Sequence, residues 1–187
     1  MSAPVLVIDL EATCSDDESI TEMDMEVIEV GAVWVSPEGH IVDRFQSFVC
    51  PIKHPQLTPF CMSLTHIEQT DIDTAPTWPI VATNLGRFVR RYAQCESYWG
   101  SWGAYDRRQI QRECVRHGVE SPLQNLIHQN LKANFARVRK IKQVGMATAL
   151  KIVGLPLEGM HHRALSDAIN ISRLIPECRS DLFEISD

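Results

Sequence analysis

VLVIDLEAT, residues 5–13, opens with four consecutive apolar side chains, Val5 to Ile8, and then presents two acids, Asp9 and Glu11. A short, unbroken run rich in β-branched residues is the pattern of a strand covered on both faces. Alternate side chains of an extended chain project to the same side, so Asp9 and Glu11 point together from the end of that strand. Two neighbouring anions repel unless a cation lies between them. Hard divalent ions such as magnesium or manganese, which take oxygen ligands, suit that place. The alternative is a strand that ends in two solvated acids, and the rest of the chain has to decide between them.

Beyond the acidic, polar stretch SDDESITEMDME, EVIEVGAVWV reads as a second strand, SPEGH as a turn, and IVDRFQSFV as its partner strand. Pro51, Pro55 and Pro59 forbid a long helix there, and FCMSLTHI reads as one or two helical turns. Asp71 to Pro79 reads as a connecting loop. WPIVATNLGRFVRRYAQ has helical spacing of its apolar residues, and ESYWGSW reads as another strand. AYDRRQIQRECVRHGV is an amphipathic helix starting near Asp106, so this aspartate stands where a strand hands over to a helix, as a site residue or simply as the N-cap. LQNLIHQNL holds a short strand, KANFARVRKIKQ is basic, and GMATALKIVGL is a helix stopped by Gly154. In HHRALSDAINISRLI the helix is expected over the second half, ending at Pro176. The order predicts an α/β fold with a mixed sheet, its first strands antiparallel and its later ones joined through helices.

With 187 residues, 44% hydrophobic and 22% charged, the chain can bury an ordinary core, and a single domain over residues 1–187 is expected. No basic segment followed by an apolar stretch opens it and no apolar run approaches a membrane span, so a cytoplasmic protein with no membrane contact is expected. The six cysteines are scattered without a Cys-x-x-Cys pair, which argues against a zinc ribbon or a redox motif. A net charge of −6 does not exclude nucleic acid as a partner, because a metal site itself consumes acids and binding depends on local patches.

Three stretches, DLEAT with Asp9 and Glu11, WGAYD with Asp106 and HRALSD with His162 and Asp167, occur in the order found in the DEDDh 3′-to-5′ exonucleases, and the chain resembles that family. The family includes ribonuclease T, oligoribonuclease and the proofreading subunit of bacterial DNA polymerase III. IDLEATC, FCMSLTHI, the GSW before the second motif and NFARVRK make the Eri-type branch the closer resemblance, over roughly residues 4–176. The resemblance implies a ribonuclease H-like fold, a five-stranded mixed β-sheet flanked by α-helices. It also implies hydrolysis of phosphodiester bonds from the 3′ end of single-stranded RNA or DNA with two divalent cations, magnesium or manganese, releasing nucleoside 5′-monophosphates. By resemblance Asp9, Glu11, Asp106 and Asp167 are the metal ligands and His162 the general base, whose ordinary pKa of about 6.5 suits that task near neutral pH. The five-residue step to Asp167 selects His162 over His161, which is left as a solvent-facing or hydrogen-bonded histidine.

Substrate contacts are also implied. Phe60 and Leu64, one helical turn apart, and Trp102 match positions that hold the terminal base in the Eri-type branch, with core packing as the alternative. Ala12 and Thr13 continue the first motif, where close backbone approach and a hydroxyl would meet the terminal sugar. Lys132, Arg137, Arg139, Lys140 and Lys142 would track upstream phosphates, unless they are only a solvated helix face. Three other readings stand beside this one: degradation of very short RNAs in the manner of oligoribonuclease, a catalytically idle binder of RNA ends, and, for assembly, a homodimer such as family relatives often form. An idle homologue usually loses a ligand or the base, and this chain keeps all five.

Overall fold

The computed structural model describes residues 3–36, 38–95 and 97–178. Its centre is a five-stranded sheet of β1 (Val5–Ala12), β2 (Val27–Val35), β3 (Ile41–Phe48), β4 (Tyr98–Ser101) and β5 (Ile127–Asn130), in the order β3-β2-β1-β4-β5. The first three strands pair antiparallel, and β4 and β5 join parallel to β1. The mixed sheet expected from the sequence is therefore present, with β1 at its middle. Around it lie α1 (Pro59–Thr65), α2 (Gln69–Asp73), α3 (Trp78–Arg90), α4 (Tyr105–His117), α5 (Leu131–Arg139), α6 (Met146–Ile152) and α7 (Ala164–Arg173). Among the described residues no helix is long and apolar enough to cross a membrane.

The alternation of β1 sorts the helices onto two faces. Leu6, Ile8 and Leu10 pack with Trp34, Leu85, Phe88 and Ile110, which is the side of α3 and α4. Val5 and Val7 pack with Val33, Phe135, Leu150 and Ile171, which is the side of α5, α6 and α7. Burying each such side chain stabilises the fold by about 1.5–3 kcal/mol, so reversing the face of β1 would forfeit most of both cores. Asp9 and Glu11 continue the odd-numbered face and so come to lie under α7.

Two sequence expectations need correction. Residues 71–79 are not simply a loop: α2 occupies the first part, held by a reciprocal cap between Glu68 and Asp71, and α3 already begins at Trp78. A five-residue helix is too short to form by propensity alone, and its local signal is correspondingly weak. The last helix starts at Ala164, earlier than the second half of its stretch, and ends at Arg173; Pro176 lies in a separate 3₁₀ turn, Ile175–Cys178.

Gly31, opposite Asp9 in the β1–β2 register, admits α7 to the sheet. A Cβ built on it would stand 2.1 Å from the backbone carbon of Ala164. Backbone cannot yield as a side chain can, so Gly31→Ala is expected to cost about 3 kcal/mol, read as a lowered urea midpoint. An unchanged midpoint would mean that α7 has room to lift.

Candidate active site

Asp9 and Glu11 project from the C-terminal half of β1, Asp106 from the first turn of α4, and Asp167 from the fourth position of α7. One oxygen from each of Asp9, Glu11 and Asp167 lies within 4.8 Å of the other two. Asp106 is not the N-cap of its helix; Ala104 holds that place, without a side-chain cap. Gly103, at φ +128°, turns the chain sharply after β4, and the Asp106 carboxylate then reaches back to accept the Leu10 amide at 3.1 Å. The helix start is thereby tied to β1 between its two acids.

A cleft of about 340 Å³ collects these four acids with His161, His162, Trp102, Tyr105, Gly145, Met146, Leu10 and Ile171. His162 has φ +62° and its ring stacks on that of His161, with centroids 4.0 Å apart. Asp167 Oδ2 accepts from the His162 amide at 3.1 Å and from His161 Nδ1 at 2.8 Å. His161 is thus hydrogen-bonded, one of the two alternatives read from the sequence, and both histidines line the cleft.

Electrostatically the cleft is strained. Burial first, and then the neighbouring charges of Asp106, Glu11, Asp167 and Glu29, hold Asp9 well above the ordinary carboxylate value of 3.8. Burial followed by Asp167, Glu29 and Asp106 pushes Glu11 up to about 9. Asp106 is raised by burial to about 6, against opposing hydrogen bonds that include those from Ser101 and Leu10. Asp167 is also raised by burial, opposed chiefly by His161. Its Oδ1 is buried without a hydrogen-bond partner among the described residues. Crowded, desolvated, oxygen-only ligands with an unsatisfied carboxylate oxygen fit a hard divalent cation, which turns mutual repulsion into shared attraction.

The other expected contact residues are distributed less simply. Trp102 lines the cleft, held by a hydrogen bond from Nε1 to the Val144 carbonyl at 2.9 Å and by ring contact with Phe135 at 5.7 Å. Ala12 and Thr13 are buried, and neither they nor Phe60 and Leu64 are among the residues lining the cleft. Thr13 is turned into the fold: its hydroxyl accepts the Glu26 amide at 3.0 Å and its amide donates to the Glu26 carbonyl at 2.8 Å. The hydroxyl expected to meet the sugar is thus engaged in fastening the end of β1. Phe60 is 38% exposed and Leu64 half-buried on α1, whose Cys61 thiol meets the Ala12 carbonyl at 3.6 Å. Of the basic run, Arg139 pairs with Glu177 on the α5 side, while Lys140 and Lys142 stand exposed after the helix. Tyr105, Gly145 and Met146 went unnoticed in the sequence. Tyr105 had a signal, its place beside Asp106 in WGAYD, whereas Gly145 and Met146 had none.

The family model described as Exonuclease matches residues 6–175. The 3′-5′ exonuclease eri1 of Schizosaccharomyces pombe is 25% identical over 207 residues, an alignment spanning 96% of this chain and 69% of that protein. The 3′-5′ exoribonuclease 1 of Rattus norvegicus is 28% identical over 190 residues, 97% of this chain and 54% of that one, so the chain spans about half of its length. Among solved structures, the nuclease domain of 3′hExo, a DEDDh family member bound to rAMP, superposes with a TM-score of 0.82 at 25% identity, covering 91% of this chain and 88% of that one. A full-length 3′-exonuclease gives 0.85 at 26%, covering 92% and 60%. These neighbours share the ribonuclease H-like fold, and the family match runs from β1 through α7: the chain belongs to the DEDDh exonuclease family.

Proposed function

We propose that the protein is a metal-dependent 3′-to-5′ exonuclease that removes nucleoside 5′-monophosphates from single-stranded RNA, with DNA as a second substrate. The observation that carries this reading is the meeting of Asp9, Glu11, Asp106 and Asp167 with His162 in one cleft, from elements spread over almost the whole chain. The family resemblance and the exoribonuclease relatives support the direction of attack and the preference for RNA.

Asp9, Glu11, Asp106 and Asp167 would hold two divalent cations, magnesium or manganese. Such cations, when bound, make water a nucleophile near neutral pH and offset charge on the attacking and leaving oxygens. His162 takes the proton of the attacking water. Burial and the neighbouring His161 hold its pKa below the ordinary 6.5, so the ring is neutral and able to accept at pH 7. Trp102, fixed by Val144 and Phe135, offers a flat apolar surface to the terminal base, and the family resemblance assigns Phe60 and Leu64 on α1, outside the cleft lining, to the same base. Tyr105 and Met146 keep bulk water from the acids.

The test is digestion of 3′- and 5′-labelled RNA and DNA oligonucleotides, single- and double-stranded, with magnesium or manganese. Stepwise shortening from the 3′ end with release of 5′-monophosphates is expected. Internal fragments, or shortening that persists in EDTA, would overturn the proposal.

The raised carboxylates also make a prediction for protein stripped of cations. A folded-state pKa of about 9 for Glu11, against an ordinary 4.5, means that the folded state keeps a proton the unfolded state has already lost. Stability from that proton is complete below pH 4.5 and is lost as pH rises through about 9. In EDTA, melting temperature is therefore expected to fall by roughly 2–4 °C per pH unit between pH 6.5 and 9. Manganese should flatten that slope, because it favours the charged carboxylates. Calorimetry at three pH values, with and without manganese, checks it, and a melting temperature in EDTA that climbs with pH would contradict it.

A further inference from the structure

His162 is not glycine, yet it sits in the left-handed backbone region at φ +62°, a conformation that costs about 1 kcal/mol and persists only where its surroundings impose it. The surroundings begin one residue later. Arg163 is extended and starts α7, and its guanidinium forks onto the Glu29 carboxylate, with Nε to Oε2 at 3.0 Å and Nη2 to Oε1 at 3.1 Å. The Ala164 amide donates to the same Oε2 at 3.1 Å, and Gln46 of β3 donates to Oε1. The guanidinium also lies over the Phe48 ring, 5.3 Å from its centre. Glu29 is fully buried on β2, directly opposite Glu11.

We infer that Glu29 and Arg163 form a positioning pair: this ion pair between β2 and the start of α7, its carboxylate fully buried and its guanidinium partly so, fixes the His162 turn and the first turn of α7, and so sets where His162 and Asp167 stand relative to Asp9 and Glu11. The inference rests on the nuclease reading of the cleft. A buried ion pair is a poor source of stability, since an apolar pair of equal volume often does as well. What a planar, bidentate contact supplies is a fixed orientation. The pair has a second consequence. Glu29 is a fifth acid at the edge of the cluster, and the guanidinium satisfies both of its oxygens, which keeps it out of the set that faces the cleft. Placement matters because an error of about 1 Å in a reacting group can cost 10²-fold in rate.

The full chain is compared with Arg163→Lys, which keeps the charge and loses the fork, and Glu29→Gln, which loses the charge and keeps the shape. With a single-stranded 3′-labelled RNA, kcat is expected to fall about 10-fold in Arg163→Lys and about 100-fold in Glu29→Gln, with KM within twofold of the parent. Manganese binding by calorimetry should weaken several-fold. In cation-free protein the Cε1 proton signals of His161 and His162, displaced by their stacked rings, should move to ordinary positions. A variant that only melts earlier, with kcat within twofold and both histidine signals unmoved, would overturn the inference. Should Glu29→Gln fail to fold, Arg163→Lys decides. Asp9→Asn is run alongside: activity that does not depend on Asp9 would refute the nuclease reading, while the histidine signals and manganese affinities would still decide whether the pair positions the turn.

Discussion

Asp9→Asn should lower 3′-end hydrolysis by at least about 10³-fold and, in the same protein stripped of divalent cations, raise the melting temperature by several degrees. The two effects have one cause. Asp9 is central to the cluster: Asp106, Glu11, Asp167 and Glu29 all act on it, and burial removes the water that would screen them. Asparagine keeps the shape of the side chain and removes the charge. The acids that remain repel one another less, and each pKa unit of relief is worth about 1.4 kcal/mol. If the acids hold cations as proposed, losing this central carboxylate would weaken their binding, and catalysis with it. A residue needed only for folding would show the opposite combination, with lower stability and partly kept activity. Digestion of labelled RNA beside calorimetry in EDTA measures both. Activity within tenfold of the parent, or a lower melting temperature in EDTA, would count against a cation-sharing role.

What could be read from the chain alone follows the range of each interaction. The run Val5–Ile8 with acids two apart was legible because strand alternation is local, and the structure puts Asp9 and Glu11 on the face it implies. The position of Asp106 was legible as a strand-to-helix handover, but its partner was not. Capping would have satisfied a local amide, whereas the side chain instead takes the Leu10 amide, 96 residues earlier. Glu29 had no local signal at all. In EVIEVGAVWV an acid amid apolar residues looks like one polar step of a strand, and its partners Arg163 and Ala164 lie 134 and 135 residues away. Thr13 shows a different limit: its motif suggested a ligand contact, and nothing local announced that its hydroxyl also accepts the Glu26 amide beside the start of β2. Helix α2 was missed because five residues with two acids carry too little periodicity to stand out from a turn.

His162→Ala is expected to lower kcat by about 10² to 10⁴-fold and to leave KM nearly unchanged, because a general base acts in the transition state and adds little to ground-state binding. The neighbouring histidine is the control that separates roles. His161 donates to Asp167 and stacks on His162, so His161→Ala should cost less, about 10-fold, by loosening both. The pH profiles should differ in a defined sense. A base works when neutral, so the rate falls tenfold per pH unit below its pKa. In the parent that limb should have its midpoint below 6.5, because burial and then the charge of His161 lower the His162 pKa. Without His161 one of those causes is gone, and the limb should shift upward toward 6.5. In His162→Ala the same limb should disappear, leaving a shallow profile set by the carboxylates. Single-turnover rates from pH 5 to 9 on one RNA oligonucleotide give all three curves. A larger loss and a vanished limb in His161→Ala would exchange the two roles, making the residue that binds Asp167 the base and its neighbour the support.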